Sequence, residues 1–501
     1  MRPVPCRPRL PALVILAGAA ACGPSACGPA PDASAGVAAT PTLFDRLAGS
    51  WEGEGTLLGR PGRFHMRWTR LADGRWARLE FRNGFVGPDG ATTPILEAVA
   101  FYPIRGAPGE DATAGDAEPR VGPAPHGGTS GPPADGWWFD SRGERLLLGI
   151  SVEEDLLRVD WTASSEQGRT VYRPGNGRVE VADSVWRDGA LAEFARATYV
   201  AAPDAGVVEE SLWIPTEDGL RMRARAVGTG PETWVVPMDV FLKDALGPLA
   251  RGRRLVFYDP LGRGASDAIP LERLSEDRQL RDLEALRRHL GLERMGLIGW
   301  SGPGKLVARY AIEHPERVSG LLLISPVGPA SSAYPLEDGI PSRDDKLDGA
   351  AYEQLQAERA AGAFAGDTAA ACRAENGLLY AASLADGALS ALVPDVCVHP
   401  NEWPERLYPW FGALLDSFGT FDHGPAFRAS PVRTLVIHGR EDGIPLAGGR
   451  AWVAGARDAR LLVLTPAGHF PFLEMPLDFT QAARTFLDGG WPDAAEAVPG
   501  S

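Results

Sequence analysis

The stretch Gly299-Trp300-Ser301-Gly302-Pro303-Gly304 decides the fold of the C-terminal half of this 501-residue chain. It follows an apolar run, Met295–Ile298, that predicts a buried strand, and it precedes a predicted helix, Lys305–Glu313. A serine on such a sharp turn is raised above the edge of the sheet, and the helix N-terminus behind it favours developing negative charge. Ser301 is therefore a candidate nucleophile.

The turn departs from the usual Gly-x-Ser-x-Gly pattern, because Pro303 occupies the fifth position and Gly304 follows one residue later. Proline fits the first turn of a helix, so the departure is sterically acceptable. An ordinary glycine-rich helix cap is the competing interpretation. The strand before the turn and the helix after it favour the nucleophile.

The sequence around this turn alternates apolar strands with helices, which predicts a mainly parallel sheet covered by helices. The first two strands flank the turn signal at residues 216–219 and form a predicted hairpin. The predicted strands are Ser211–Pro215, Leu220–Val227, Thr233–Pro237, Arg254–Tyr258, Met295–Trp300, Gly320–Ser325, Arg433–His438 and Arg460–Thr465. A helix, Arg278–Leu290, is predicted after the capping residue Ser275. Helical segments such as Ala350–Ala361 and Asp367–Ala385 interrupt the strand pattern at about 326–430, which predicts an inserted helical cap.

The candidate base is His469, which lies in a predicted loop after the final strand. A neutral imidazole there can accept the Ser301 proton and return it later. A histidine on the surface or in the core is the alternative. Position decides among the eight histidines, because only His469 follows the last strand.

The candidate acid is Asp442, just beyond the strand Arg433–His438. Open α/β sheets place their sites at the carboxyl ends of strands, and a carboxylate there can fix the tautomer of the base. Glu441 is the rival, and a turn-forming aspartate is the structural alternative. The order serine, aspartate, histidine is that of α/β hydrolases.

Together with two further motifs, these residues make the segment 207–489 resemble the α/β-hydrolase fold superfamily, nearer its proline-iminopeptidase-like branch than the lipases. The further motifs are the turn at 257–267 and the run at 314–318. The resemblance covers more than half the chain. It implies an α/β-hydrolase sheet with a helical cap, and a carboxylic ester hydrolase or aminopeptidase-like serine hydrolase.

Two predicted parts of the site depend on this resemblance. The family usually has His-Gly after its third strand, and this chain lacks that pair at the corresponding residues, 235–240. The hole needs backbone N–H groups, so the amides of Met238 and Gly302 are the predicted oxyanion-hole donors. Cap carboxylates of the aminopeptidases bind the free amino group of the substrate, which makes Glu402 a candidate, with a solvated surface acid as the alternative. Trp300, next to Ser301, is the other predicted substrate contact.

The N-terminal half has a different pattern. Between residues 42 and 201 short alternating strands are separated by tight turns, which predicts a mostly antiparallel β-barrel or sandwich. The opening 47–55 resembles the first strand of lipocalin-like barrels, where a Gly-x-Trp pair begins the chain. A Gly, Pro, Ala and Asp-rich stretch at 106–136 predicts a disordered loop.

The first 22 residues have the three-part pattern of an export signal, with arginines before an apolar run that is too short to cross a bilayer. Cys22 lies in a sequence resembling a bacterial lipobox, so a lipid anchor on Cys22 and simple cleavage both stay open. Residues 23–41 are a predicted disordered tether. Export to the periplasm or the extracellular space predicts a disulfide between Cys372 and Cys397, with two free thiols as the alternative.

A net charge of −15 argues against a nucleic-acid partner, because binding to a phosphate backbone needs surplus Lys and Arg. No metal-binding or nucleotide-binding motif stands out, so the prediction includes no metal and no cofactor. The predicted function is hydrolysis of a small-molecule ester, amide or peptide through an acyl-enzyme on Ser301. Transfer of the acyl group to an alcohol or peroxide, and an exported binding protein with an inactive hydrolase half, are the alternatives. The sequence predicts membrane contact only through a lipid anchor and leaves the oligomeric state open.

Overall fold

The computed structural model describes residues 42–71, 74–104, 136–153, 155–175, 177–202 and 208–500, and they form two compact units that divide near residue 207. The predicted export signal with Cys22 and the predicted tether lie outside these residues. Residues 106–135 of the predicted loop also lie outside them, whereas Gly136 begins a strand.

The described residues of the N-terminal unit form ten antiparallel strands that close into a barrel. Each strand pairs with its neighbours in sequence, and the first strand pairs with the last. The strands are β1 (Gly49–Leu57), β2 (Arg60–Arg70), β3 (Trp76–Val86), β4 (Thr92–Pro103), β5 (Gly136–Asp140), β6 (Arg145–Glu153), β7 (Leu156–Thr162), β8 (Gln167–Pro174), β9 (Arg178–Arg187) and β10 (Ala190–Ala201). The barrel fits the predicted lipocalin-like domain.

Alternation of side chains fills the barrel interior, because successive residues of a strand point to opposite faces. Strand β2 buries Phe64, Met66 and Trp68, while the residues between them are more exposed. Trp51 of the predicted Gly-x-Trp pair is buried, and its indole N–H donates to the carbonyl of Leu47 (2.7 Å) in the short helix α1 (Leu43–Leu47).

The C-terminal unit is built on one sheet of eight strands within residues 208–500. The strands are β11 (Glu209–Pro215), β12 (Arg221–Val227), β13 (Thr233–Pro237), β14 (Arg254–Tyr258), β15 (Met295–Trp300), β16 (Val318–Ile324), β17 (Thr434–Gly439) and β18 (Ala459–Leu464). Their order is β11-β12-β14-β13-β15-β16-β17-β18. The first two form the predicted antiparallel hairpin, β12 is antiparallel to β14, and the later pairs are parallel. Every predicted strand is present; three have the predicted bounds, and the bounds of the other five shift by one or two residues.

Helices join and cover these strands. They are α2 (Asp239–Leu246), α3 (Glu276–His289), α4 (Gly302–Glu313), α5 (Arg343–Lys346), α6 (Gly349–Ala360), α7 (Thr368–Ser383), α8 (Pro404–Phe418), α9 (Gly424–Ala429), α10 (Leu446–Val453), α11 (Pro471–Glu474) and α12 (Pro476–Leu487). Short 3-10 helices occupy Gly247–Ala250, Leu271–Arg273, Pro315–Arg317, Gly387–Leu392, Val396–Val398 and Pro400–Glu402. Helix α3 starts two residues before the prediction, because Ser275 accepts the N–H of Arg278 (3.1 Å) and is itself the cap. None of the helices that the structure describes is long and apolar enough to cross a membrane.

The predicted cap is the helical insertion between β16 and β17, and it contains α5 to α9. Cys372 of α7 and Cys397 form a disulfide inside this insertion, with their Cα atoms 5.8 Å apart. Both cysteines are buried, so the bond closes a loop within the cap core.

Two glycines, Gly299 and Gly302, flank the turn between β15 and α4, and only Gly299 has no room for a side chain. A Cβ on Gly299 would overlap the side chain of Val307 and lie 2.7 Å from the Cα of Gly304. A Cβ on Gly302 would meet no heavy atom within 4 Å. The strand and the helix therefore cross closest at Gly299, which explains the small residue that the sequence pattern requires there.

We expect Gly299→Ala to lower the free energy of unfolding by about 1–3 kcal/mol, because the added methyl group overpacks the turn. Gly302→Ala is the matched control and should stay within about 0.5 kcal/mol of the parent. Urea denaturation of both variants measures the difference. Equal stabilities would contradict the close crossing at Gly299.

Candidate active site

Ser301 lies on the turn between β15 and α4 with φ +58° and ψ −130°, a backbone conformation that side-chain-bearing residues rarely adopt. Its N–H donates to the carbonyl of Ile324 (3.0 Å), and its own carbonyl accepts the N–H of Gly304 (3.0 Å). Such conformations cost roughly 1–3 kcal/mol and cluster at functional sites. The neighbouring strand and helix thus hold Ser301 in a strained position at the carboxyl end of β15.

The structure brings the three predicted residues Ser301, His469 and Asp442 into one hydrogen-bonded chain. The Nε2 atom of His469 lies 3.0 Å from the Oγ atom of Ser301. The Nδ1 atom of the same ring lies 3.0 and 3.1 Å from the two carboxylate oxygens of Asp442. Asp442 is 2% exposed, whereas Ser301 and His469 are partly accessible. An oriented imidazole with a buried carboxylate behind it can take a proton from the serine hydroxyl.

Asp442 is held as a carboxylate by its neighbours. Burial alone would raise the pKa of Asp442, but the adjoining His469 and the N–H of Ile444 (2.7 Å) lower that pKa below its ordinary value. The rival acid, Glu441, instead accepts the N–H of Ala467 (2.8 Å). The geometry therefore favours Asp442 over Glu441 as the partner of the imidazole.

His438 supports Asp442 from the end of β17, a contact that the sequence did not reveal. Its Nε2 atom lies 3.0 Å from the carbonyl oxygen of Ile444 and 3.6 Å from an oxygen of Asp442. Burial lowers the pKa of His438, so its ring is neutral and donates from Nε2 to the Ile444 carbonyl. The sequence signal for this contact was the position of His438 at a strand end, four residues before Asp442.

Three hydrogen bonds position the loop that carries His469. The indole N–H of Trp300 donates to the carbonyl of His469 (2.8 Å), and the N–H of His469 donates to the carbonyl of Ser383 (2.9 Å). The N–H of Gly468 donates to the carboxylate of Glu474 (2.7 Å). Trp300, predicted as a substrate contact, is 7% exposed and packs against Phe470 at a centroid distance of 4.9 Å. In the structure its contacts hold the histidine loop.

Glu474 joins that loop to the cap, and sequence reasoning missed it. Its other carboxylate oxygen accepts the N–H of Ala385 (2.6 Å), just after helix α7. Burial raises the pKa of Glu474 to about 7, although backbone N–H groups oppose this shift. The sequence signal was a single acid in the otherwise apolar segment 470–475, a pattern that indicates a buried carboxylate with hydrogen-bond partners.

Met238 does not supply an oxyanion-hole amide, which corrects the prediction. Its N–H donates to the carbonyl of Tyr258 (2.8 Å) and is occupied. Met238 has φ +75°, a left-handed backbone conformation that favours glycine. The next amide, that of Asp239, begins α2 and has no hydrogen-bond partner among the described residues, nor does the amide of Gly302. These two amides are the available donors.

Two buried carboxylates fix the first turn of α2. Asp239 pairs with the guanidinium of Arg225 at 2.8 and 3.0 Å. Asp259 accepts the N–H of Val240 (3.0 Å). Burial, together with the nearby carboxylate of Asp239, raises the pKa of Asp259 to about 8. These two contacts therefore hold the first turn of α2, which carries the amide of Asp239.

Glu402 is not available to bind a substrate amino group, which corrects the second prediction from the resemblance. Its carboxylate pairs with Arg263 through two hydrogen bonds (2.8 and 3.0 Å) and accepts the N–H of Gly264 (2.7 Å). Glu402 is 1% exposed. Asn401 holds the same turn by donating to the carbonyls of Gly264 (3.1 Å) and Ser266 (2.8 Å). The pair fastens the cap to the turn after β14.

No group of three or more His, Cys, Asp or Glu side chains in the described ranges is arranged to hold a metal ion.

Comparisons with known proteins match the C-terminal unit to one family model and to several hydrolases. The family model for the alpha/beta hydrolase fold matches residues 230–476. A 2-hydroxymuconate semialdehyde hydrolase of Pseudomonas sp. (strain CF600) is 28% identical over 240 residues, which cover 48% of this chain and 78% of that protein. A proline iminopeptidase of Lactobacillus helveticus is 42% identical over 84 residues, covering 16% of this chain and 28% of that protein. The solved esterase of Exiguobacterium antarcticum has 20% identity and a TM-score of 0.43, and covers 56% of this chain and 100% of that one.

The sheet, the cap and the strained turn define the C-terminal unit as a hydrolase domain. With the match over 230–476, this domain belongs to the α/β-hydrolase fold family, and the chain is an α/β-hydrolase enzyme with an N-terminal lipocalin-like barrel.

We expect Asp442→Asn to lower kcat for a p-nitrophenyl ester by about 10⁴-fold, because the amide no longer fixes the imidazole tautomer or stabilises its cation. Glu441→Gln is the matched control, since its neighbour is the Ala467 amide, and it should lose less than about tenfold by the same reasoning. Steady-state kinetics measures both. A larger loss of kcat in Glu441→Gln than in Asp442→Asn would show that Asp442 is not the acid of the site.

We expect Glu402→Gln to lower the free energy of unfolding by about 3–5 kcal/mol, because Arg263 loses its buried counter-ion. Glu405→Gln in the same cap removes an exposed ion pair and should cost less than about 1 kcal/mol. Denaturation curves and KM values for esters and aminoacyl amides test this. A fully stable variant with a raised KM for aminoacyl amides alone would restore Glu402 as an amine-binding residue.

Proposed function

We propose that this enzyme hydrolyses small carboxylic esters, and amides that lack a free amino terminus, through an acyl-enzyme on Ser301. The observation that carries the proposal is the chain of 3.0 Å contacts from the Ser301 hydroxyl through His469 to Asp442. The strained backbone at Ser301 supports the same chemistry, as do the amides of Gly302 and Asp239, which have no hydrogen-bond partner among the described residues.

In the proposed reaction His469 takes the Ser301 proton while the hydroxyl oxygen bonds to the substrate carbonyl carbon. The carbonyl oxygen gains negative charge and is stabilised by the N–H groups of Gly302 and Asp239. His469 then gives its proton to the leaving alcohol as the carbon–oxygen bond breaks. His469 then takes a proton from a water molecule, whose oxygen attacks the acyl carbon. The bond between that carbon and the Ser301 oxygen breaks, His469 returns the proton to Ser301, and the carboxylic acid leaves. Asp442 stays ionised throughout and stabilises the imidazolium.

Aromatic side chains pack beside the proposed site, with Phe241 5.4 Å from Trp300 and Tyr380 5.9 Å from Phe470 between ring centroids. Because Phe241, Trp300 and Phe470 are buried, they support the histidine loop. Of these four rings, the half-buried Tyr380 is the candidate contact for an apolar acyl or alcohol group. Glu402 is occupied by its ion pair with Arg263, which argues against recognition of a free amino group. In this respect the proposal differs from the activity for which the proline iminopeptidase is named. Other relatives are named for hydrolysis of 2-hydroxy-oxo-dienoates, so such acids belong in the substrate panel.

Export remains part of the proposal. The N-terminal pattern supports it, and so does the buried disulfide in the cap, because such bonds persist mainly in oxidising compartments.

We expect a fluorophosphonate probe to label the parent enzyme once, on Ser301, and Ser301→Ala to abolish the label. The same variant should lower kcat for p-nitrophenyl esters by about 10³–10⁶-fold, because the nucleophile is lost. Mass spectrometry of the labelled peptide and initial rates measure the two effects. Circular dichroism confirms folding in each sample. A folded parent protein that neither reacts with the probe nor turns over any ester, amide or 2-hydroxy-oxo acid would refute the proposed function.

A further inference from the structure

The N-terminal barrel encloses a cavity of about 400 Å³ that the hydrolase chemistry does not use. Its apolar lining includes Tyr102, Trp138, Leu148, Trp161, Tyr172 and Phe194. Cavities of roughly 300–1,000 Å³ with mostly apolar walls and a few placed polar groups are typical of small-molecule sites. The cavity therefore has the size and the lining of a binding site.

A carboxylate lies among these apolar walls. Asp183 shares the inward-facing positions of β9 with Val181 and Val185, because alternate residues of a strand point to one face. The hydroxyl of Thr170, its cross-strand neighbour on β8, donates to one carboxylate oxygen (2.6 Å). Burial raises the pKa of Asp183 to about 6, so the group is mostly ionised at pH 7. No Lys, Arg or His within the described residues forms an ion pair with it.

The other charges of the lining do not neutralise Asp183. Arg142 pairs with Asp140 (2.6 Å), and Arg187 pairs with Glu166 (3.5 Å). Glu144 adds a further carboxylate to the lining. An ionised carboxylate in an apolar interior is costly without a partner, so this cavity favours a ligand that brings positive charge.

A second hydrogen-bond acceptor lies in the same cavity. The side-chain oxygen of Asn83, on an inward position of β3, is buried and has no hydrogen-bond partner among the described residues. Aromatic faces, such as those of Trp138 and Trp161, also attract cations. Two acceptors and aromatic walls are complementary to a ligand with N–H donors on a positively charged group.

We propose that the barrel cavity binds a small amphiphilic amine, with its protonated nitrogen against Asp183 and its apolar part against the aromatic walls. The carboxylate accepts hydrogen bonds from the ammonium group, and such charge-assisted bonds are about twice as strong as neutral ones. The cavity lies within the barrel unit, so the proposal is independent of the reaction on Ser301.

The test uses the full chain and four probes, namely octylammonium, octyltrimethylammonium, 1-octanol and octanoate. Calorimetry measures binding, and tryptophan fluorescence, to which Trp138 and Trp161 of the lining contribute among the 14 tryptophans, is the second readout. We expect octylammonium to bind at least tenfold tighter than octanol and octanoate. The quaternary ion should bind more weakly than octylammonium, because it lacks N–H donors.

Asp183→Asn should weaken octylammonium binding at least tenfold and leave octanol binding unchanged. Asp160→Asn, a change of an exposed carboxylate paired with Arg169 on the barrel, is the matched control and should alter neither. The ranking of the four probes on the parent protein requires no variant, so it stands even when a substitution unfolds the barrel.

Three results would overturn the proposal: octanoate or octanol binding as tightly as octylammonium, no binding by any probe at millimolar concentration, or unchanged octylammonium binding by folded Asp183→Asn. Repeating the titration with Ser301→Ala separates the two proposals. Binding by this variant supports the amine site whether or not the parent hydrolyses esters. Loss of binding in this variant would place the probe at Ser301 and contradict the barrel site.

Discussion

The backbone of Ser301 must be held in a conformation that it would not adopt alone. Its φ of +58° presents the hydroxyl at the sheet edge, and the carbonyl of Ile324 on β16 holds its N–H in place. The close crossing of β15 and α4 at Gly299 leaves the turn little room to relax. Packing of the neighbouring strand and helix therefore stabilises one strained residue, whose hydroxyl the imidazole must reach.

The imidazole meets this fixed hydroxyl because its loop is tied in several directions. Trp300 holds the carbonyl of His469 from the strand side, and Ser383 holds its N–H from the cap side. Glu474 then joins the loop to the segment after α7. The cap is itself fastened by Glu402 and Arg263, so cap placement and the orientation of the histidine are parts of one hydrogen-bonded framework.

The strands and the meeting of Ser301, Asp442 and His469 were predictable for one physical reason. Doubly buried strands give short apolar runs, and residues that follow parallel strands collect at the same sheet edge. Chain order then separates Asp442 and His469 from other acids and histidines. The sequence does not show that Met238 adopts a left-handed conformation and donates its N–H to the carbonyl of Tyr258, so the predicted donor differs by one residue from the proposed donor, Asp239. The partners of Glu402 and Glu474 were beyond prediction, because Arg263 and Glu402 are 139 residues apart.

Three acids of the chain illustrate why pairing matters more than burial in assigning a role. Asp442 lies against an imidazole that can change its charge, so its carboxylate is available to stabilise a developing cation. Glu402 has a permanently charged guanidinium as its partner, and exchange for a substrate amine would leave Arg263 buried without a counter-ion. Asp183 accepts a hydrogen bond from a hydroxyl and forms no ion pair among the described residues, so the proposed ammonium ligand would add an interaction without breaking one. The charge beside each carboxylate thus distinguishes the proposed partner of the imidazole, the structural ion pair and the proposed amine site.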